Sequence, residues 1–162
     1  MLKKKIFIIL ILIFLQGCGF RPLYSSNQMI KIYIEEINFD GDWELNNFIQ
    51  TSLNRYNLKN TNEQFNDKNT EYQKYKIIVK TNYTKNSLTK DSTGKPTKYI
   101  FDINAEINLI SKDQNKNYIY NEKFNMTNFE DELLEKNYER SNKQNIANLI
   151  VNKFIIQYSN AR

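Results

Sequence analysis

The stretch that decides the fold is Tyr-Ile-Phe-Asp-Ile-Asn-Ala-Glu-Ile-Asn-Leu, residues 99–109. Its apolar side chains recur at every second position, and Asp102, Asn104, Glu106 and Asn108 stand between them. A period of two places these two sets on opposite faces of an extended chain. The stretch therefore predicts a strand that has one face in a core and the other face in water.

The same alternation predicts three further strands. The first covers residues 30–37, the second covers residues 74–83, and the fourth follows a hairpin turn at Asp113–Asn117. Glu122 interrupts the apolar face of the fourth strand and leaves its register open. The residues on the three expected core faces are Ile30, Ile32, Ile34, Tyr75, Ile77, Val79, Thr81, Tyr83, Tyr118, Tyr120, Phe124 and Met126.

Two segments between these elements have no periodic pattern. Residues 57–71 are polar and rich in asparagine, and they predict a loop. Lys85–Thr97 contains Gly94 and Pro96, and it predicts a long connection with a constrained turn at its tip.

Two stretches have the helical period of 3.6 residues. Asp42 is the expected N-cap of the first helix, because Asp40-Gly41 breaks the preceding strand. The second helix begins either at Ser141, which has capping-box spacing to Gln144, or earlier, in the acidic stretch Glu130–Glu135. The helical apolar positions are Leu45, Phe48, Ile49, Leu53 and Tyr56, then Ile146, Leu149, Ile150, Phe154 and Tyr158.

This order of elements predicts an α+β fold, a two-layer sandwich with the order β-α-β-β-β-α. A four-stranded, mainly antiparallel sheet carries both helices on one face, because each strand and each helix has a single apolar side. The opposite face of the sheet is expected to be in water or covered by a partner. Residues 30–162 form this single domain.

The first residues predict an export signal. Lys3, Lys4 and Lys5 precede the apolar run Ile6–Leu15, which would span about 15 Å as a helix, half of a hydrocarbon core of roughly 30 Å. A cleaved signal peptide over residues 1–17 is therefore expected.

The end of this leader resembles a bacterial lipobox. Leu15-Gln-Gly-Cys18 places the only cysteine of the chain at the cleavage point. Cys18 is therefore the expected lipidation site, and residues 18–29 form a lipidated N-terminal segment. Gly19 in the next position, where aspartate would favour retention in the inner membrane, favours the outer membrane.

Composition excludes several classes of function. The chain has no histidine, one cysteine and four scattered glycines, so it lacks the residues of catalytic triads, zinc clusters and phosphate-binding loops. We expect no enzyme, no cofactor and no metal. Removal of residues 1–17 leaves 20 basic and 18 acidic residues, and a net charge near +2 argues against a nucleic-acid partner.

Lysines form the remaining candidate site. Lys74, Lys76 and Lys80 share the polar face of the second strand, and four more follow along the connection: Lys85, Lys90, Lys95 and Lys98. Such a cluster can bind phosphates as point charges. The alternative is a base-composition effect, because the chain has 19 lysines against 4 arginines together with 25 asparagines.

Three segments resemble one family. Cys18-Gly-Phe-Arg-Pro-Leu-Tyr24, Asp91-Ser-Thr-Gly-Lys-Pro-Thr-Lys-Tyr99 and the C-terminal helical stretch Tyr138–Tyr158 are similar to the lipopolysaccharide-assembly lipoprotein family (LptE) in its alphaproteobacterial form. The first segment is the most specific of the three. The predicted order of elements also agrees with this family.

The resemblance implies a non-enzymatic lipoprotein, anchored by lipid on the periplasmic side of the outer membrane. Family members plug the LptD β-barrel, help to deliver lipopolysaccharide to the outer leaflet and can bind lipopolysaccharide. The lysines Lys85, Lys90, Lys95 and Lys98 would then meet its phosphates. Two other classes stay open, a lipoprotein that binds a small ligand and a structural subunit of an envelope machine.

Overall fold

The fold is that of a computed structural model, which describes residues 33–56, 59–60 and 74–160. The predicted signal peptide at 1–17, the lipidated segment 18–29 with Cys18, and the strand positions Ile30 and Ile32 lie outside the described residues. Most of the predicted loop at 57–71 also lies outside them.

Four long strands and two helices confirm the predicted order. A two-residue strand is added at the edge of the sheet. The elements are β1 (Tyr33–Gly41), α1 (Trp43–Asn54), β2 (Lys59–Asn60), β3 (Lys74–Lys90), β4 (Pro96–Ile110), β5 (Asn115–Thr127) and α2 (Glu132–Asn160).

The sheet is mixed, with the strand order β2-β1-β3-β4-β5. The hairpins β3–β4 and β4–β5 are antiparallel, whereas β1 pairs with β2 and β3 in parallel. The β1–β3 register joins Tyr33 to Lys74 and Gly41 to Thr81, so β3 continues well past the end of β1. Gly41 has a φ of +98°, and a Cβ there would lie 1.8 Å from the Thr81 carbonyl oxygen, so only glycine fits this close approach.

One face of the sheet carries the core, and both helices cover that face, as predicted. Along β4, Phe101, Ile103, Ala105, Ile107 and Leu109 are buried, and the polar residues between them are not. The other buried apolar residues are Ile34, Leu45, Ile49, Leu53, Tyr75, Ile77, Val79, Tyr120, Met126, Ala147, Ile150, Val151, Phe154, Ile155 and Tyr158.

Two strands deviate locally from simple alternation. In β1 the register shifts between Ile34 and Glu36, so Ile37 and Phe39 pack against the core after this irregularity. In β5, Glu122 points to the helix side and forms an ion pair with Lys153 of α2. The register of β5, which was uncertain at Glu122 from the sequence, runs through this position without a break. The carboxylate is tolerated on the helix side because Lys153 of α2 pairs with it.

Aspartates cap both helices. The carboxylate of Asp42 accepts a hydrogen bond from the Leu45 amide at 2.8 Å, which confirms the predicted N-cap of α1. At α2 the carboxylate of Asp131 accepts from the amides of Leu133 and Leu134 at 2.7 and 3.2 Å. The helix thus begins in the acidic stretch, and Ser141 lies inside it.

The two helices run in the same direction. Glu44, in the first turn of α1, contacts Lys143 of α2, and Tyr56, just after α1, donates a hydrogen bond to Asn152 further along α2. The 29 residues of α2 span about 43 Å. In the part of the chain that the structure describes, no helix combines the length and the apolar character needed to cross a bilayer.

The predicted long connection Lys85–Thr97 is mostly strand. β3 continues to Lys90, β4 begins at Pro96, and a short turn joins them. Cα pairs such as Lys85 with Phe101 and Asn86 with Ile100 continue the ladder through this region. The apolar alternation was absent because backbone pairing here continues beyond the core, where most side chains are exposed on both faces.

Charge placed on the core face of β4 should be far more damaging than charge placed on the open face. Ile103→Asp or Ile107→Asp buries an unpaired carboxylate, because both isoleucines are completely buried, and should cost about 3 kcal/mol or more. Asn104→Asp on the exposed face is the matched control and should change stability by less than about 0.5 kcal/mol. Urea-unfolding midpoints measure both. Equal effects at the three positions would contradict the strand register.

Candidate functional site

The candidate site is the arm, defined as residues 84–102, where β3 and β4 extend past the end of β1. The tip of the arm is a turn closed by backbone hydrogen bonds between Asp91 and Lys95 (2.9 Å) and from Gly94 to Asp91 (3.1 Å). Gly94 has a φ of +86°, a conformation that glycine adopts without strain. The predicted constrained turn is therefore present, but it is shorter than the predicted connection.

Asp91 organises the turn from within. Its carboxylate accepts hydrogen bonds from the Thr93 hydroxyl at 2.7 Å, the Thr93 amide at 2.8 Å and the Lys95 amide at 3.0 Å. These hydrogen bonds hold the pKa of Asp91 below its usual value, and the one from the Thr93 hydroxyl contributes most. The only acidic side chain of the tip is thus engaged in shaping the turn that presents Lys95.

Three of the four predicted lysines stand at this tip. Lys90, Lys95 and Lys98 are exposed, and none of them forms an ion pair within the described parts of the chain. Their ammonium groups are therefore available to an anion from solution. A hydrogen bond between the hydroxyls of Thr89 and Thr97, 2.6 Å apart, ties the two strands together beneath them.

The fourth lysine, Lys85, forms ion pairs within the domain. Its Nζ lies 2.8 Å from Glu135 Oε1 and 3.0 Å from Glu139 Oε2, both on α2, and 4.4 Å from the centre of the Tyr99 ring. Partial burial alone would lower the pKa of Lys85, but the hydrogen bonds to Glu135 and Glu139 outweigh it and raise the pKa. Lys85 thus fastens the base of the arm to α2.

A buried lysine that the sequence analysis missed lies next to this contact. Lys143 of α2 is only 6% exposed, and its Nζ lies 3.1 Å from Glu44 Oε2, 3.7 Å from Asp42 Oδ2 and 3.7 Å from the centre of the Tyr83 ring. One ammonium group therefore joins α1, α2 and β3. Its helical position, in line with Ala147 and Ile150 on the core face, is the feature of the sequence that could have revealed it.

Tyr83 continues the contact toward the arm. Its hydroxyl donates a hydrogen bond of 2.5 Å to Glu139 Oε1, and Glu139 also accepts from Lys85. Burial, together with the Glu139 carboxylate, raises the pKa of Tyr83, so the phenol stays protonated and remains a donor. Lys143, Tyr83, Glu139 and Lys85 thus form a chain of contacts along the base of the arm, hereafter the base network.

The open face of the sheet is mostly polar, with Ile119 as an exposed apolar residue on β5, and it carries charges of both signs. Asn82, Asn104 and Asn121 form a continuous row across β3, β4 and β5. Lys123 lies 2.8 Å from Asp102 on this face, and Lys76 lies 2.8 Å from Glu36. The predicted outward cluster Lys74, Lys76 and Lys80 is therefore spread along one strand and partly neutralised.

Among the described residues, no group of three or more His, Cys, Asp or Glu side chains is arranged to hold a metal ion. The predicted lipidation site, Cys18, lies outside the described residues.

No family model and no curated protein matches this sequence. Solved structures do match it. Rare lipoprotein B from Shewanella oneidensis aligns with a TM-score of 0.51 and 14% identity, over 78% of this chain and 98% of that chain. The chain shares the fold of this lipoprotein. A minor lipoprotein from Acinetobacter baumannii aligns with a TM-score of 0.49 at 11% identity, over 76% and 94% of the two chains.

An uncharacterised lipoprotein B from Nitrosomonas europaea aligns with a TM-score of 0.46 at 11% identity, over 82% of this chain and 87% of that chain. The identities of all three alignments are too low to carry residue roles from one chain to the other. The alphaproteobacterial form of the family resemblance stays a prediction.

Loss of the buried ammonium group should loosen the base network. Lys143→Met keeps most of the side-chain volume but removes the cation from Glu44, Asp42 and the Tyr83 ring, so we expect a loss of about 1–3 kcal/mol in unfolding free energy. The loss is limited because both carboxylates are partly exposed and can regain water. Lys136→Met is the matched control, since Lys136 pairs with Glu132 on the exposed surface of the same helix and should cost less than about 0.5 kcal/mol. Urea unfolding that fails to separate the two variants would refute the stabilising role of Lys143.

Proposed function

We propose that the protein is a lipid-anchored lipoprotein on the periplasmic side of the outer membrane. In this proposal it plugs an LptD-type β-barrel and assists the assembly of lipopolysaccharide into the outer leaflet. The observation that carries the proposal is the fold shared with rare lipoprotein B from Shewanella oneidensis, which aligns over 98% of that chain. The motif Cys18–Tyr24 adds independent support, because it combines the predicted lipidation cysteine with a stretch that resembles the family's mature N-terminus.

The open face of the sheet supports a plug. The lumen of a large outer-membrane barrel is polar, and a surface that fits it needs hydrogen-bonding groups rather than a strong field of one sign. The row Asn82, Asn104 and Asn121 supplies amide donors and acceptors side by side on adjacent strands. The neighbouring Asp102–Lys123 pair keeps its charges balanced within the surface.

The tip of the arm supports contact with the phosphates of lipopolysaccharide. Lys90, Lys95 and Lys98 are exposed, lie within nine positions of one another and flank a turn whose shape is fixed by Asp91. We narrow the proposed phosphate-binding set to these three residues. Lys85 supports them indirectly, because its bonds to Glu135 and Glu139 hold the base of the arm in place.

Purification from the envelope of the producing cell tests the anchor and the partner together. The full chain carries a C-terminal affinity tag, the cells receive a labelled fatty acid, and the protein is extracted in mild detergent. We expect fatty-acid label on the protein and co-purification of a β-barrel several times its mass. Cys18→Ala is the control variant and should carry no label, because Cys18 is the only cysteine.

Each negative outcome of this experiment is specific. Label on the Cys18→Ala chain would contradict lipidation at Cys18. A labelled protein that leaves the envelope without a barrel would contradict the plug and favour a lipoprotein that binds a small ligand. Co-purification with a different assembly, free of any barrel, would favour a structural subunit of that assembly.

Removal of the three tip lysines should weaken lipopolysaccharide binding. Each exposed lysine contributes only a fraction of a kcal/mol to about 1 kcal/mol, because water and salt screen it. Lys90→Gln, Lys95→Gln and Lys98→Gln combined should therefore lower the affinity about tenfold at low salt, and added salt should shrink the difference. Equilibrium binding of purified lipopolysaccharide to the detergent-solubilised protein measures the effect.

Two control variants separate the tip from general charge. Lys112→Gln with Lys116→Gln removes charge around the β4–β5 turn, far from the arm, and should leave affinity unchanged. Lys85→Gln should mainly lower the unfolding free energy, because Lys85 pairs with Glu135 and Glu139. Its effect on the affinity for lipopolysaccharide should be the smaller of the two. Equal affinity in the triple variant and the wild type would mean that the tip lysines reflect base composition and do not bind phosphates.

A further inference from the structure

Exposed apolar side chains concentrate at the arm end of the domain. Eight large apolar residues are exposed in the described parts of the chain, and five lie at this end. These five are Trp43 (77% exposed), Leu133 (66%), Leu134 (56%), Leu88 (48%) and Tyr138 (45%). Three of them belong to the first two turns of α2, where Phe129 also packs on Tyr138 with ring centres 5.5 Å apart. Clustered exposed apolar side chains mark interaction surfaces, whereas single scattered ones are normal on any protein.

The start of α2 is held firmly, so these side chains do not belong to a fraying helix end. Asp131 caps the helix through the amides of Leu133 and Leu134. One and two turns later, Glu135 and Glu139 form ion pairs with Lys85 of β3. A surface presented in one fixed conformation loses less entropy when a partner binds.

The apolar residues are set among carboxylates. Glu130, Asp131 and Glu132 precede Leu133 and are all exposed, and only Glu132 has a described cation, Lys136 at 2.7 Å. The helix dipole explains why acidic residues stand in the first turn. It does not explain the adjacent Leu133 and Leu134, which are 66% and 56% exposed.

The carboxylates around these apolar residues indicate which class of partner fits the surface. An anionic lipid surface would be repelled by the three carboxylates, although it would accept the apolar side chains. A polypeptide segment in which an apolar residue is flanked by Lys or Arg satisfies both features, since leucine, tyrosine and phenylalanine can enclose the apolar residue while the carboxylates meet the cations. Tyrosine on this surface and arginine on such a segment belong to the residue types that contribute most to the affinity of protein interfaces.

We propose that Phe129, Leu133, Leu134 and Tyr138, with the carboxylates of Glu130 and Glu132, form a docking surface for a basic and apolar segment of the barrel partner. The inference rests on the proposed function for the identity of the partner. It is independent of the tip lysines, which belong to the arm and carry the opposite charge. The acidic α2 start and the basic tip are thus two surfaces with two different occupants.

Site-specific photocrosslinking in the intact envelope tests the docking surface. The photoreactive residue p-benzoylphenylalanine replaces Leu134 in one strain and Leu149 in the other. Both leucines are exposed on α2, but Leu149 lies away from the arm end. Ultraviolet light should give an adduct with the co-purifying barrel from position 134, at least fivefold more than from position 149. Mass spectrometry of the adduct should place it on a barrel segment that contains Lys or Arg beside an apolar residue.

Charge reversal supplies the second arm of the test. Glu130→Lys with Glu132→Lys should reduce the adduct from position 134 at least threefold, and Asp131 is left in place because it caps the helix. Asp113→Lys, an exposed reversal at the β4–β5 turn, is the matched control and should leave the adduct unchanged. The far-ultraviolet circular dichroism of each purified variant confirms that it is folded.

The failures of the two proposals are distinguishable. A barrel that co-purifies but gives no adduct at position 134 overturns the docking surface and leaves the plug intact. Adducts with a second copy of this chain or with lipid alone, or adducts that ignore the charge reversal, also overturn it. Absence of the barrel from the purified protein overturns the proposed function itself.

Discussion

The structure depends on one constraint, which is that the inward face of the β3–β4 hairpin must be covered over a length that α1 alone does not reach. α1 begins at Trp43, level with Thr81 of β3, and therefore covers only the first half of that strand. Beyond Thr81 the face carries Tyr83 and, across the ladder, Phe101. α2 extends past the start of α1 and covers them, and its contacts there are charged because the edge of the core is open to water.

The base network follows from that position. A wholly apolar contact at the edge of the core would expose its outer side, whereas Lys143 and Lys85 bury their methylene stems and direct ammonium groups to carboxylates. The aromatic rings of Tyr83 and Tyr99 lie under these two cations at 3.7 and 4.4 Å. The same residues that close the core therefore fix the direction in which the arm leaves the domain.

The sequence predicts those elements whose two faces differ, and it misses those whose faces are alike. β4 alternates strictly because one face is buried and the other is wet, so its strand is visible in the residues alone. Residues 85–90 of β3 are paired just as fully, yet they contain no alternation because they continue past the core. The parallel pairing of β1 with β3 leaves no local pattern either, since it joins residues about forty positions apart.

The candidate site shows the same division. The turn at Gly94 and the exposed tip lysines follow from local residue types, and the structure places them together. That Lys85 and Lys143 are paired within the domain depends on carboxylates about 50 to 100 residues away in the sequence. The sequence alone does not distinguish these lysines from one another. In the fold, Lys85 and Lys143 pair with carboxylates of the domain, whereas the tip lysines are exposed to solvent. Glu122 was anomalous in the sequence for the same reason, because its partner Lys153 is 31 residues away.

The direction of the chain links the proposed anchor to the two surfaces at the arm end. β1 starts at Tyr33, opposite Lys74 at the far end of β3, so the described part of the domain begins at the end remote from the arm. The 17 residues of β3 span roughly 50 Å as an extended strand, slightly more than the 40–45 Å thickness of a whole bilayer. In the proposed plug, if Tyr33 and Lys74 face the periplasm and β3 follows the barrel axis, the tip lysines would stand at the level of the outer leaflet. The acidic start of α2 lies below the tip, beside Lys85, at a depth where the barrel wall rather than the lipid would be its neighbour. One direction of the chain thus fits both occupants, with phosphates beyond the tip and a basic segment of the partner beside the helix.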